Sequence, residues 1–164
     1  MNKKEILKLL EKEKIDYIYE EHPPVFSMED LFSLNPEHGK DIALTLFLRD
    51  DKKKNYYLLS TDRSMKPDLK ALKHILGTRP LSYASDRDFE RILRLKKESA
   101  SLFGIFNDEE QSVEAVIDIR FQNRLIGLHP LINTATVFLK GDDLYRLLQE
   151  KGISVRWAEF RQFI

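Results

Sequence analysis

The first sixty residues alternate between helix-like and strand-like hydrophobic patterns. Residues 3–14 carry leucine and isoleucine three and four positions apart among lysine and glutamate, which predicts an amphipathic helix. Residues 16–20 alternate in the manner of a short strand. Residues 43–48 are almost entirely apolar, which predicts a strand buried on both faces. A polar turn leads from that strand into residues 56–60, so the two segments are predicted to form a β-hairpin.

The remaining chain continues this mixture of periods. Ser27 and Ser85 are predicted N-caps for helices over 28–34 and 86–95, and Asp68 opens a helix that Gly77 ends. Strands are predicted over 81–84, 113–117 and 153–160, a second hairpin over 102–117, and a last helix over 142–150. Six or seven strands intermixed with four or five helices predict an α/β (α+β mixed) fold with a mixed sheet.

Composition narrows the class of protein. A length of 164 residues predicts one domain, residues 1–164, and the 27 basic and 27 acidic side chains give no bulk attraction to nucleic acid. The absence of cysteine excludes disulfides and thiolate catalysis. We find no apolar run of membrane-spanning length, no signal-peptide pattern, no glycine-rich phosphate loop and no cluster of ligands for a metal. These features predict a cytoplasmic protein that uses neither metal nor membrane.

Two His-Pro corners are the strongest candidates for chemistry. Pro130 holds His129 in an extended conformation, and the small polar side chains of Asn133 and Thr136 follow before an apolar strand. His22-Pro23 is a second corner of the same kind. Each corner could equally be a turn whose polar groups are satisfied by the backbone. We expect both corners and the strand over 44–48 to meet at one cleft, because rigid polar corners flank a strand too apolar for the surface.

The ordered motifs of the chain resemble one known family. The matching segments are His22-Pro23-Pro24-Val25-Phe26, Leu46-Phe47-Leu48-Arg49-Asp50, Asp68-Leu69-Lys70-Ala71-Leu72, Leu81-Ser82-Tyr83-Ala84, Phe103-Gly104-Ile105-Phe106-Asn107-Asp108, and His129-Pro130-Leu131 with Asn133 and Thr136. In this order and spacing they resemble the YbaK-like editing domains associated with aminoacyl-tRNA synthetases, in particular the free-standing PrdX or ProXp-ala type. The resemblance implies a mixed sheet or partial barrel surrounded by helices.

The same resemblance implies trans-editing, the hydrolysis of an amino acid wrongly esterified to tRNA. Its typical substrate is tRNA-Pro carrying alanine, with related members acting on cysteine or other small residues, and prolyl-tRNA synthetase is a possible partner. A synthetase pocket cannot strongly reject a smaller side chain, because one methylene is worth only ~1–3 kcal/mol. A second site that admits only the smaller product supplies the missing discrimination. A positioned water can attack the ester without a cofactor or a nucleophilic side chain.

Two departures from the family pattern affect the expected chemistry. The family has Lys-Asn where this chain has Leu44-Thr45, and a Gly-x-x-Pro-Gly loop where this chain has residues 94–99. We therefore expect weakened activity, with His129, Lys40 and Thr45 as catalytic candidates. Lys40 could reach into the vacated space or remain an exposed loop residue, and Thr45 could contact substrate or only pack in its strand. The substrate-binding candidates are His22, Ser101, Gly104, Pro130, Asn133 and Thr136.

Three functions remain open from the sequence. The chain could be an aminoacyl-tRNA deacylase with a rebuilt or weakened site. It could instead be a catalytically silent module that binds a charged tRNA end or a synthetase. The third possibility is a small-molecule sensor that reuses the cavity. A replacement cation near Leu44 in space would favour the first function over the second.

Overall fold

The computed structural model describes residues 1–27, 29–30 and 38–160. The helix that the sequence predicts over 28–34 therefore lies outside the described residues, apart from 29 and 30, which are helical. The α-helices, strands and π-helix run in the following order: α1 Lys3–Lys12, β1 Tyr17–Glu21, β2 Leu44–Asp50, β3 Tyr56–Thr61, α2 Leu69–Leu76, β4 Leu81–Tyr83, α3 Asp86–Asp88 continuing as a π-helix Phe89–Leu93, β5 Val113–Asp118, β6 Leu125–Leu128, β7 Ala135–Lys140, α4 Gly141–Glu150 and β8 Val155–Ala158.

The strands form two sheets, and the fold is a mixed α/β arrangement without a closed barrel. One sheet has three antiparallel strands in the order β1-β7-β6. The other has five strands in the order β4-β2-β3-β5-β8 and is mixed, since β2 pairs antiparallel with β3 and β4 while β5 pairs parallel with β3 and β8. A bridge between Ile42 and Gly127 connects the start of β2 to β6.

The first predicted hairpin is confirmed and the second is wrong. Leu44 pairs with Thr61 at one end of the β2–β3 hairpin, and Arg49 pairs with Tyr56 at the other. Residues 102–107, however, form a 3-10 helix, and β5 joins the sheet in parallel beside β3. A short apolar run does not reveal its own period, and the buried Leu102 and Phe103 satisfy a helical turn as well as a strand.

The predicted helix ends at Asp68, Gly77 and Ser85 are confirmed, whereas one helix is shorter than predicted. Asp68 accepts hydrogen bonds from the first backbone amides of α2, and Gly77 ends that helix at a φ of 65°. Ser85 and Asp88 form a reciprocal capping box at the start of α3. The segment predicted as a helix to residue 95 instead widens into the π-helix and stops at Arg94, whose φ is 54°.

The neighbouring strands β2 and β3 are largely buried on both faces of the five-stranded sheet, as the apolar pattern of β2 predicts. Phe47 and Leu58 face a large core shared with α1, α4 and the three-stranded sheet. Leu46 and Leu59 face a second core beneath α2. No helix of the described residues is long and apolar enough to cross a membrane.

Gly127 lies where the two sheets meet. A Cβ at this position would come within 2.7 Å of the Phe138 ring and 3.2 Å of the Ile42 Cα. The close approach lets the Ala43 amide donate to the Gly127 carbonyl at 3.0 Å. This joint places the start of β2 beside the His129 corner.

Candidate active site

His129 lies at the end of β6, in a corner that fixes its tautomer. Its Nδ1 is 3.0 Å from the Ala135 carbonyl oxygen, which can only accept, so Nδ1 carries the proton and donates. Burial lowers the pKa of His129, and the neighbouring His22 adds to this, while the hydrogen bond to Ala135 opposes it. The neutral ring therefore keeps a lone pair on Nε2, the nitrogen that could accept a proton from a ligand or water.

His22 reaches the same place from the other end of the chain. The two imidazole centroids are 6.0 Å apart, so both predicted corners meet. His22 Nδ1 donates to the Pro23 carbonyl at 2.9 Å, and in the neutral ring Nε2 accepts from the Thr136 hydroxyl, also at 2.9 Å. These two hydrogen bonds hold the His22 ring against β7.

Polar side chains around the two histidines fasten the corners to one another. The buried Ser101 hydroxyl donates to the His129 carbonyl oxygen, and the Asn133 amide donates to the Val25 carbonyl at 3.0 Å. Leu131, which lies between His129 and Asn133 in the chain, has a φ of 66°, a left-handed conformation that is uncommon for leucine. We call His22, His129 and Thr136, with their supports Ser101 and Asn133, the corner wall.

A cavity of about 330 Å³ opens beside this wall. That volume is at the lower end of the range for small-molecule sites. The start of β2 supplies Leu44, Thr45 and Phe47, and the corner wall supplies His129 and Thr136. Most of the lining is apolar.

A further part of the cavity lining comes from residues 97–100, which we call the loop wall. Lys97–Ser99 form a single 3-10 turn, and Lys97, Glu98 and Ala100 line the cavity. Lys97 is exposed and Glu98 is half-buried. Among the described residues around the cavity, Lys97 is the only lysine or arginine and Glu98 the only acidic side chain.

Two exposed aromatic side chains stand at the mouth of the cavity. Phe26 is 72% exposed and Tyr83 is 52% exposed, and both belong to the lining. Flat apolar rings in such a position can stack on a nucleic-acid base. They extend the site beyond the volume needed for an amino acid side chain.

The structure brings together only part of the predicted site. His129, Thr136 and Thr45 line the cavity, whereas His22, Ser101 and Asn133 support the corner from behind. Pro130 is buried outside the lining, and Gly104 packs against Leu95 and Leu93. Lys40 is exposed and away from the lining, with its carbonyl accepting from Arg124. Lys40 is therefore not the replacement cation in this conformation.

The site residues predicted from the sequence do not include the loop-wall charges or the aromatic rim. Lys97 and Glu98 lie in the segment that departs from the family loop, so the motif comparison gave no role to either residue. Phe26 and Tyr83 belong to matching segments but looked like ordinary strand or turn residues. Their exposure, which only the fold reveals, is the signal that distinguishes them.

The corner wall, the cavity and the two-sheet arrangement together define an editing-domain type of protein. The model of the aminoacyl-tRNA editing domain family matches residues 22–147, and the chain belongs to this family. It is 36% identical to the prolyl-tRNA editing protein ProX of Acetoanaerobium sticklandii, over 96% of both chains. It is 30% identical to the prolyl-tRNA synthetase associated domain-containing protein 1 of Danio rerio, over 90% of this chain and 82% of that one.

A solved structure supports the fold independently. A protein described as a proposed trans-editing enzyme for prolyl tRNA synthetase superposes with a TM-score of 0.69 over 96% of each chain. Only 14% of the aligned residues are identical, so this similarity concerns the fold.

Proposed function

We propose that this protein is a trans-editing deacylase that hydrolyses a small amino acid, alanine first, from mischarged tRNA-Pro. Family membership supports aminoacyl-tRNA editing, and the names of the two relatives suggest tRNA-Pro and an association with prolyl-tRNA synthetase. The observation that carries the proposal is the neutral His129 imidazole, tethered through Nδ1 beside a small apolar cavity.

In the proposed reaction a water molecule attacks the ester carbonyl. His129 Nε2 accepts a hydrogen bond from that water and orients it, because Nδ1–H is already committed to Ala135. As the new C–O bond forms, the water gives up a proton to Nε2. The tetrahedral intermediate then collapses, the bond to the ribose oxygen breaks, and that oxygen takes the same proton back from the imidazolium to regenerate the tRNA hydroxyl. The cavity holds the ester near the water, and this positioning contributes to the rate separately from proton transfer.

Small cavity size supports a small amino acid. The apolar side chains of Leu44, Phe47 and Ala100 surround the space that an amino acid side chain would enter. A cavity of about 330 Å³ accepts alanine without displacing any packed atoms. The proposal therefore includes alanine as first substrate, with serine and cysteine as the next in size.

The experiment is release of amino acid from tRNA-Pro charged with alanine, serine or cysteine. We expect release above the spontaneous rate with alanine and little with correctly charged proline. Rates equal to spontaneous hydrolysis for all three small amino acids would reject the deacylase proposal.

A second candidate is a catalytically silent module that binds a charged tRNA end. The observation in its favour is Leu44, an apolar, half-buried side chain at the position where the family resemblance implies a lysine. Loss of a preorganised electrostatic donor in a site typically costs 10²–10³-fold in rate. We accordingly propose weakened rather than absent activity.

The variant Leu44→Lys separates weak catalysis from none. An ammonium at this position would lie in the cavity beside His129, and we expect the deacylation rate to rise by about tenfold. Leu44→Met, which keeps the length without the charge, is the matched control and should leave the rate near that of wild type. A silent wild type that the lysine cannot activate would favour the binding module.

A further inference from the structure

We propose that Glu98 binds the α-ammonium group of the aminoacyl ester and so makes the site selective for substrates with a free amino group. This inference rests on the proposed function, since it assigns a role within the same cavity. It starts from the charges of the substrate. An aminoacyl ester carries an α-amino group that is protonated to a large extent near neutral pH.

A cation that enters an apolar cavity needs a partner, because leaving water without one is costly. Among the described residues around the cavity, Glu98 supplies the only carboxylate. Thr45 and Thr136 offer only neutral hydroxyl oxygens, which attract an ammonium less strongly than a carboxylate does. Glu98 is therefore the side chain whose charge complements the substrate.

The Glu98 carboxylate is available for this role. Within the part of the chain that the structure describes, no hydrogen bond or ion pair engages it. Other acidic residues nearby are committed, since Asp88 pairs with Arg49 and Arg91. Being half-buried, Glu98 is shielded from water more than a surface carboxylate, which strengthens its attraction for an ammonium.

The position of Glu98 would also allow the bound substrate to reach His129. Glu98 lies on the loop wall, which lines the same cavity as His129 on the corner wall. A substrate held by its ammonium on one wall would present its ester to the imidazole on the other. The ammonium and the ester carbonyl of the substrate are attached to the same α-carbon, so the two side chains that bind them need to be only a few ångströms apart.

The test is a double-mutant cycle between enzyme and substrate. Wild type, Glu98→Gln and the control Glu90→Gln are assayed with alanyl-tRNA-Pro and with N-acetyl-alanyl-tRNA-Pro, each rate being divided by its spontaneous rate. Glu90 is an exposed residue of the neighbouring π-helix and does not line the cavity.

We expect N-acetylation to lower kcat/KM of wild type by about 10- to 100-fold, mainly through KM, as for the loss of a hydrogen bond between charged groups. Glu98→Gln should lower kcat/KM for the free amine by a similar factor. The kcat/KM of this variant should then be the same for the free and the N-acetylated substrate. Glu90→Gln should behave as wild type. Equal sensitivity of wild type and Glu98→Gln to acetylation would overturn the assignment.

Binding keeps the inference testable even if no hydrolysis occurs. The probe is 3′-alanylamido-3′-deoxyadenosine, whose amide resists hydrolysis, compared with its N-acetyl derivative. Wild type should bind the free amine more tightly by about tenfold, and Glu98→Gln should bind the two equally. If the probe binds in this pattern without turnover of the ester, the deacylase proposal fails while the role of Glu98 stands. Equal affinity of wild type for both probes would reject the role of Glu98.

Discussion

The corner wall and the loop wall face the same cavity but are held by different means. On the corner wall, each imidazole is hydrogen bonded, and Ser101 and Asn133 fasten the backbone beneath them. On the loop wall, a single 3-10 turn carries Lys97 and Glu98 with backbone hydrogen bonds to Lys96 and Lys97. One wall is therefore preorganised for orientation, and the other presents charge on a short turn. The contrast suggests that chemistry depends on the first wall and substrate selection on the second.

The largest expected effect comes from removing the free nitrogen of the corner wall. In His129→Asn the side-chain amide can still donate to the Ala135 carbonyl, but no acceptor atom takes the position of Nε2. We expect deacylation to fall about 100-fold, the usual scale for loss of a positioned proton acceptor. Single-turnover release of alanine measures it, with the exposed His74→Asn as control. A rate within twofold of wild type would show that His129 is only structural.

A side chain at the joint between the sheets should weaken the corner wall as a whole. Gly127→Ala places a methyl group 2.7 Å from the Phe138 ring, so the ring or the strand must shift. We expect a loss of about 1–3 kcal/mol in the free energy of unfolding, as for other overpacked sites. Denaturant unfolding measures this loss. Unchanged stability would mean that the joint adapts and does not fix the approach of β2 to the corner.

The lowered pKa of His129 predicts a smaller effect, which depends on pH. In the unfolded chain a histidine titrates near 6.5, whereas burial, with His22, holds the folded pKa of His129 lower. The neutral His129 therefore contributes to the free energy of unfolding. This contribution is complete above the unfolded pKa and is lost as pH falls towards the folded pKa, because the unfolded state binds the proton first. Between pH 7.5 and 5.5, wild type should therefore lose more stability than His129→Asn, as thermal unfolding can show. Parallel losses would contradict the assignment of a neutral ring.

The smallest expected effect belongs to the loop wall. Lys97 is exposed and makes no ion pair within the described residues, so Lys97→Ala should change the free energy of unfolding by no more than about 0.5 kcal/mol. Thermal unfolding is the measurement, with Lys96→Ala as the matched neighbour. A loss comparable to that of Gly127→Ala would show that the loop wall is as firmly built as the corner wall.

Local signals in the sequence predicted most of the fold. The hairpin of β2 and β3 followed from two apolar runs around a polar turn, and the caps at Asp68 and Ser85 followed from single side chains. The error at residues 102–107 arose because short apolar runs fit either a helical turn or a strand. The parallel pairing of β5 with β3 depends on contacts between distant segments, which no local pattern encodes.

The sequence predicted the part of the site whose conformation is fixed by neighbouring residues in the chain. Pro130 fixes the His129 corner within a few residues, and the structure places that imidazole at the cavity. The positions of Lys97 and Glu98 depend instead on how the π-helix ends at Arg94 and where the chain then turns. Neither event has a strong sequence signal, because arginine is an unusual residue for a positive φ.

The pairing of β1 with β7 also sets when the cavity can form during biosynthesis. His22 and Thr136, whose side chains meet on the corner wall, are 114 residues apart in the chain. The strand β1, which leads directly into His22, leaves the ribosome early and has no partner until β7 has been made. Contacts of such long sequence separation also fold slowly, because the intervening chain loses entropy when they close. We expect a nascent chain that ends before β7 to have no ligand-binding site, whatever structure the strands β2 to β5 have already gained.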